Sequence, residues 1–193
     1  MLVVNLFGGP GTGKSLLATR LFSDLKSKSI NAEYVSEYAK ALEWGREYAK
    51  LGDQLYVTAK QNRKLMRLDK RVDVAVTDAP LLLGLHYAVP EFLGNSYATL
   101  LHELFKGYDN LNIFVTRCFP YNTNGRRQSE AEAKAADANI LRLLEKGGYP
   151  FVTVPARLES VPIMLELIGN ELHKRKDTSD ERKLFTTDNT VQN

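Results

Sequence analysis

Gly8, Gly13, Lys14 and Ser15 stand at the spacing G-x-x-x-x-G-K-S/T inside the run GGPGTGKS. Residues of these types at this spacing hold the phosphates of a nucleotide. The glycines let backbone N–H groups converge on an anion without Cβ clashes, and a following helix N-terminus adds partial positive charge. Lys14 is expected to reach the β- and γ-phosphates. Ser15 offers a hydroxyl to Mg²⁺, which prefers oxygen ligands and keeps several waters. Gly8, Gly9, Gly11, Thr12, Gly13, Lys14, Ser15 and Leu16 together form the expected nucleotide cradle.

Other residues carry the rest of such a chemistry. Asp78 ends the apolar run VDVAVTD and is expected beside the phosphate loop, as a Mg²⁺ contact or general base. Glu37 follows a short β-branched and aromatic run and is expected at the same crevice, where it binds an acceptor hydroxyl or takes its proton. In YNTNGRRQSEAEAK, Gly125 gives mobility, and Arg126 and Arg127 give fixed positive charge for a transferring phosphoryl group. Arg117 follows the fourth apolar run and is a candidate to stack on adenine or brace that lid. Tyr38, Trp44, Gln54 and Gln61 are candidates for the wall of an acceptor pocket.

The elements that must position these residues alternate along the chain. Val3–Phe7 reads as a strand, and SLLATRLFSDLKSK after the glycine loop has leucines near helical spacing. NAEYVSEY is expected as a second strand and DQLYVTAKQNRKLMRLDKR as a helix with Leu55, Ala59, Leu65 and Leu68 inward. VDVAVTD, LNIFVTR and PFVTVP supply three further strands. Between them lie a helix over Tyr97–Phe105 and the alanine-rich EAEAKAADANILRLLEK, which Ser129 can cap because Glu132 stands three residues on. Ser160 can cap a last helix running to about His173.

Five strands alternating with helices predict an α/β fold with a parallel sheet, helices on both faces and ligands at the strand carboxyl ends. Residues 1–173 are expected to form one domain, and the polar stretch 174–193 a loose tail. The 193 residues leave no room for a second large domain. A net charge of +3 suits an anionic substrate but is too weak to argue for a nucleic-acid surface. Cys118 is the single cysteine, so no intrachain disulfide forms and a reducing compartment fits. MLVVNLF lacks a basic leader, and no stretch of about 18 apolar residues occurs. A soluble, cytoplasmic protein is the expectation.

The runs GGPGTGKS, SEYAK, DQLYVTAKQ, VAVTDAP and NGRRQSEAEA resemble the NadR/AAA-like P-loop kinase family, over roughly residues 1–170. The chain is also similar to short ATP-binding proteins of bacteriophages, whose compartment would be the host cytoplasm. The resemblance implies a three-layer P-loop sandwich with strand order 2-3-1-4-5, ATP and Mg²⁺ as donor, and a lid arginine near the active site. It aligns Lys14 and Ser15 with the phosphate loop, Asp78 with the acidic end of strand three, Glu37 and Tyr38 with the acidic-aromatic pair after strand two, and Arg126 with the lid. Nicotinamide riboside kinases of the family carry two closely spaced aspartates after strand three, where this chain has Asp78, Ala79 and Pro80.

A guanine-specific switch would carry N/T-K-x-D after a late strand, where this chain has CFPYNTN. A ring-forming motor would add a helical domain for which too few residues follow Ser160. The expectation is a kinase that moves the γ-phosphoryl group of ATP to a hydroxyl of a nucleoside, nucleotide or related small metabolite. The alternatives are a nucleotide-dependent regulatory ATPase that signals to a partner, and a kinase acting on a modified base in DNA. The acceptor and the oligomeric state stay open.

Overall fold

β1 (Leu2–Phe7) is buried along its whole length, as a strand in the middle of a parallel sheet must be. Its side chains alternate between two cores. Leu2, Val4 and Leu6 join Leu17, Leu21, Leu25, Met164 and Ile168, whereas Val3 and Phe7 join Leu65, Phe105, Ile140 and Leu144. The structure, a computed structural model, describes residues 1–86, 94–122 and 128–187. Among these residues β1, β2 (Ala32–Val35), β3 (Val74–Thr77), β4 (Asp109–Thr116) and β5 (Val152–Pro155) form one all-parallel sheet in the order β2-β3-β1-β4-β5. That is the expected order.

The first core lies under α1 (Lys14–Ser27) and α7 (Val161–Thr187). The second lies under α4 (Gln54–Met66), α5 (Gly94–Lys106) and α6 (Glu130–Lys146). Helices on both faces make the three-layer sandwich. Two short helices, α2 (Tyr38–Trp44) and α3 (Tyr48–Gly52), lead from β2 to α4, and a 3₁₀ segment, Leu81–His86, follows β3. Asn5 interrupts the apolar run of β1 without leaving an orphaned amide: it donates to Asn110 and Asn112 at 2.8 and 3.2 Å.

The boundaries of α6 follow from its cap. Ser129 Oγ accepts from Glu132 N at 3.3 Å, and the Glu132 carboxylate accepts from Ser129 N at 2.7 Å, a complete capping box. Ser129→Ala is expected to cost about 1 kcal/mol in urea denaturation, with Ser129→Asp recovering most of it. Equal stability of all three proteins would show that packing alone holds the helix start.

Four expectations are corrected. β2 ends at Val35, because the following residues turn and Tyr38 already opens α2. In α4 the buried positions are Gln54, Thr58, Gln61, Asn62 and Leu65, so the helix turns Leu55 and Ala59 to solvent and a mostly polar face inward. Ser160 sits in a 3₁₀ turn and donates to Pro155 O at 2.8 Å instead of capping α7. That last helix continues past His173 to Thr187, since neither glycine nor proline follows Gly169 in it. Lys174–Glu171 and Arg175–Asp109 ion pairs at 2.7 and 2.6 Å hold the turn where the tail was expected to begin.

Candidate active site

The carboxyl ends of β1, β2, β3 and β4 bring Gly8, Glu37, Asp78 and Arg117 to one edge of the sheet. β1 pairs with β3 on one side and β4 on the other, so the loop after β1 lies at the point where connections diverge. Gly8 has φ +141°, and a Cβ there would stand 2.9 Å from Thr12 Oγ1 and 3.0 Å from Val115 O. Only glycine fits that turn. Thr12 is buried and its hydroxyl donates to Gly9 O at 3.0 Å, closing the loop on itself. Gly13, in the left-handed region, caps α1, and Leu16 is exposed in the first turn of that helix.

Lys14 folds over the loop and donates to Gly8 O and Gly9 O at 2.7 and 2.9 Å. Burial lowers its pKa; the carboxylates of Glu37, Asp78 and Asp137 oppose that shift, and the Arg117 guanidinium adds to it. The expected residues thus share one electrostatic field. Ser15 Oγ donates to Asp78 Oδ2 at 2.5 Å. Asp78 is aimed by its neighbour: Thr77 Oγ1 donates to Val35 O at 2.9 Å and accepts from Ala79 N at 3.1 Å, which fixes the turn around Asp78.

Asp78 Oδ1 is buried with no hydrogen bond among the described residues. A buried carboxylate oxygen without a donor is costly unless a cation compensates it. Among the described residues no group of three or more His, Cys, Asp or Glu side chains is placed to hold a metal ion by itself. Ser15 and Asp78 nevertheless supply two hard oxygens of the kind Mg²⁺ takes alongside phosphate and water. Tyr34, on β2, stands close enough that the Asp78 carboxylate raises its pKa, after the larger effect of burial.

A small cavity, about 50 Å³, opens beside Glu37 and is lined by Tyr38, Gln54, Val57, Thr58, Gln61 and the Ala79–Leu81 turn. Three residues of the expected acceptor wall are there. Trp44 is not: it is 72% exposed on α2. Gln61 is committed to the backbone, accepting from Tyr38 N at 2.9 Å and donating to Ser36 O at 3.4 Å. It therefore shapes the wall. Thr58 and Tyr97 share a 2.7 Å hydrogen bond behind it, and Tyr97 donates to Gln54 O at 3.3 Å. A larger cavity of about 210 Å³ lies between the 3₁₀ segment and α6, lined by Leu82, Leu83, Leu85, His86, Asn139, Ile140 and Leu143. It borders the first only through Leu83 and contains none of the carboxylates.

Two further residues belong to the site that sequence reasoning did not single out. Lys64, on α4, donates to Ser36 O at 2.8 Å; burial lowers its pKa against the opposing charges of Asp78 and Glu37. Asp137, on α6, accepts from Gly9 N at 2.6 Å and from Arg117 Nε at 2.7 Å. Arg117 also lies 5.6 Å from the centre of the Tyr121 ring. Arg126 and Arg127 lie outside the described residues.

A family model for an AAA domain matches residues 3–160. No curated protein matches by sequence. Among solved structures, the NadR protein in complex with NR superimposes with a TM-score of 0.61 at 18% identity, over 86% of this chain and 51% of that one. Deoxyadenosine kinase from M. mycoides, with products dCMP and a flexible dCDP bound, gives a TM-score of 0.54 at 18% identity, over 89% of this chain and 99% of that one. At such identity the likeness is one of fold. The chain spans about half the length of the NadR protein it matches. No helix among the described residues is long and apolar enough to cross a membrane.

Proposed function

Because the chain belongs to the AAA domain family that matches residues 3–160, we propose that it is an ATP- and Mg²⁺-dependent P-loop phosphotransferase. Its acceptor is a hydroxyl of a nucleoside, nucleotide or related small metabolite. The observation that carries this reading is the convergence of Lys14, the Ser15–Asp78 pair and Glu37 beside a cavity lined by amide, hydroxyl and apolar groups. The structural neighbours, NadR with NR and a deoxyadenosine kinase, agree with a nucleoside-like acceptor.

Transfer joins the acceptor oxygen to the γ-phosphorus and breaks the bond from that phosphorus to the β,γ-bridging oxygen, whose electron pair leaves with ADP. The hydroxyl proton needs a base. Asp78 is buried and engaged with Ser15, whereas Glu37 lines the cavity, which supports Glu37 as the base and Asp78 as a metal contact. Bound Mg²⁺, held by Ser15 and Asp78, would neutralise phosphate charge. Lys14 stabilises charge on the transferring group, and the loop backbone positions it. Arg117 is near enough to influence Lys14, and Arg126 and Arg127 are assigned to the lid that follows β4.

The test is ADP release from Mg·ATP across nucleosides, nucleotides, nicotinamide riboside and hydroxymethylated DNA, with mass spectrometry of the acceptor. Acceptor-dependent ADP release with a product heavier by one phosphoryl group is expected for a small hydroxyl compound. Release without any phosphorylated product would replace the kinase reading with a regulatory ATPase. A signal confined to DNA would move the acceptor to a modified base.

A further inference from the structure

Asp137 stands in the middle of α6, in an alanine-rich stretch whose other charged residues face water, yet its two carboxylate oxygens are both engaged inside the fold. Oδ1 accepts from the backbone N–H of Gly9, the second residue of the phosphate loop, at 2.6 Å. Oδ2 accepts from Arg117 Nε at 2.7 Å, and the two side chains are only 21% and 13% exposed. Arg117 also donates from Nη2 to Ala133 O at 3.3 Å, one turn earlier on the same helix. Its Nη1 is buried without a partner among the described residues.

Helix and loop are packed as closely as the backbone permits. A Cβ on Gly9 would stand 2.6 Å from Asp137 Oδ1, 2.7 Å from Ala133 O and 3.1 Å from Ala136 Cβ. Gly9 is therefore required by its neighbour on α6, a different reason from the turn that requires Gly8. The Gly9 carbonyl in turn accepts from Lys14 and from Thr12. One residue, through its N–H and its carbonyl, thus joins α6, the lysine and the loop closure.

We infer that Asp137 is a positioning residue of the phosphate site: one carboxylate holds the Gly9 N–H and the Arg117 guanidinium together, and so fixes the phosphate loop and its lysine against α6. The inference rests on the proposed nucleotide binding for its functional half and on the free protein for its structural half. Asp137 does not touch the reacting atoms. Its negative charge beside the loop would repel a polyphosphate if it stood alone, and Arg117 offsets it, so the two residues act as a unit. Asparagine cannot replace the carboxylate: whichever way the amide turns, its NH₂ faces either the Gly9 N–H or the Arg117 Nε–H, donor against donor.

The experiment measures amide hydrogen exchange of the loop in free protein, and Mg·ATP affinity by calorimetry, in wild type, Asp137→Asn, Asp137→Ala, Arg117→Ala and the Asp137→Ala/Arg117→Ala pair. Circular dichroism and thermal melting identify the variants that fold, and Asp137→Asn, which keeps the side-chain volume, serves if the alanine variants do not. The expected result is Gly9 exchange at least ~10-fold faster, Mg·ATP affinity lowered by about 10- to 100-fold, and a double variant no worse than the worse single, as for groups that act together. A side chain that merely stabilises α6 would lower the melting temperature and leave affinity and Gly9 exchange as in wild type; that outcome overturns the inference. So does additivity of the two alanine substitutions. If wild type binds no Mg·ATP, the proposed function fails, and Gly9 exchange alone then decides whether Asp137 holds the loop.

Discussion

Lys14→Ala is expected to reduce ATP turnover by about 10³-fold or more while leaving a folded protein. The magnitude follows from what the lysine does in this kind of site: phosphoryl transfer is accelerated mainly by charge held ready for the transferring oxygens, and Lys14 is the cation seated on the loop. Its environment predicts the stability effect separately. Burial depresses its pKa below the ordinary 10.5, so between the folded and unfolded values the unfolded chain holds more protons at this position. Stability contributed by Lys14 therefore rises with pH across that window, up to 10.5. The alanine variant lacks this increment. Urea denaturation at pH 7 and pH 10 should find wild type gaining relative to the variant at the higher pH. Turnover within a few-fold of wild type would remove Lys14 from the mechanism.

Parts of this site were legible in the sequence because each is announced by local pattern. The phosphate loop reads from its glycines and lysine, and Asp78 from the apolar strand it ends. α6 reads to the residue at both ends because Ser129 and Glu132 cap it and Gly147 follows it. α4 was misread in phase for a physical reason: its inward face carries Gln54, Thr58, Gln61 and Asn62, of which the first three line the cavity and Gln61 also hydrogen-bonds the β2–α2 turn. A search for apolar periodicity turns such a helix the wrong way, since the face that serves the site is the polar one. Asp137 was invisible because a lone aspartate in an alanine-rich helix looks solvated. Its partner Gly9 lies 128 positions away, and only the close approach of α6 to the loop reveals the contact. Trp44 shows the converse, an aromatic residue that looked like a pocket wall and faces outward.

Asp78→Asn is the second substitution with a large expected effect, and it separates metal binding from folding. Asparagine matches aspartate in size, so its carbonyl can still accept the Ser15 hydroxyl, and the Thr77 bonds that aim the residue involve no Asp78 atom. What is lost is the anionic charge at the buried Oδ1, which no protein donor satisfies among the described residues. The substitution relieves a buried anionic oxygen but also removes a carboxylate that offsets the burial of Lys14, so the variant is expected to stay folded with stability close to that of wild type in urea denaturation. A Mg²⁺ contact, by contrast, depends on that charge. Turnover is expected to fall by about 10²-fold or more and to need a higher Mg²⁺ concentration for half-maximal rate, on the scale of losing one electrostatic contact in the transition state. The Mg²⁺ titration is the deciding measurement. If turnover falls while the Mg²⁺ midpoint stays where it was, Asp78 serves the acceptor instead, and the roles assigned to Asp78 and Glu37 must be exchanged. If neither changes, the Ser15–Asp78 pair is only a brace between the phosphate loop and β3, and the metal must be held by other groups.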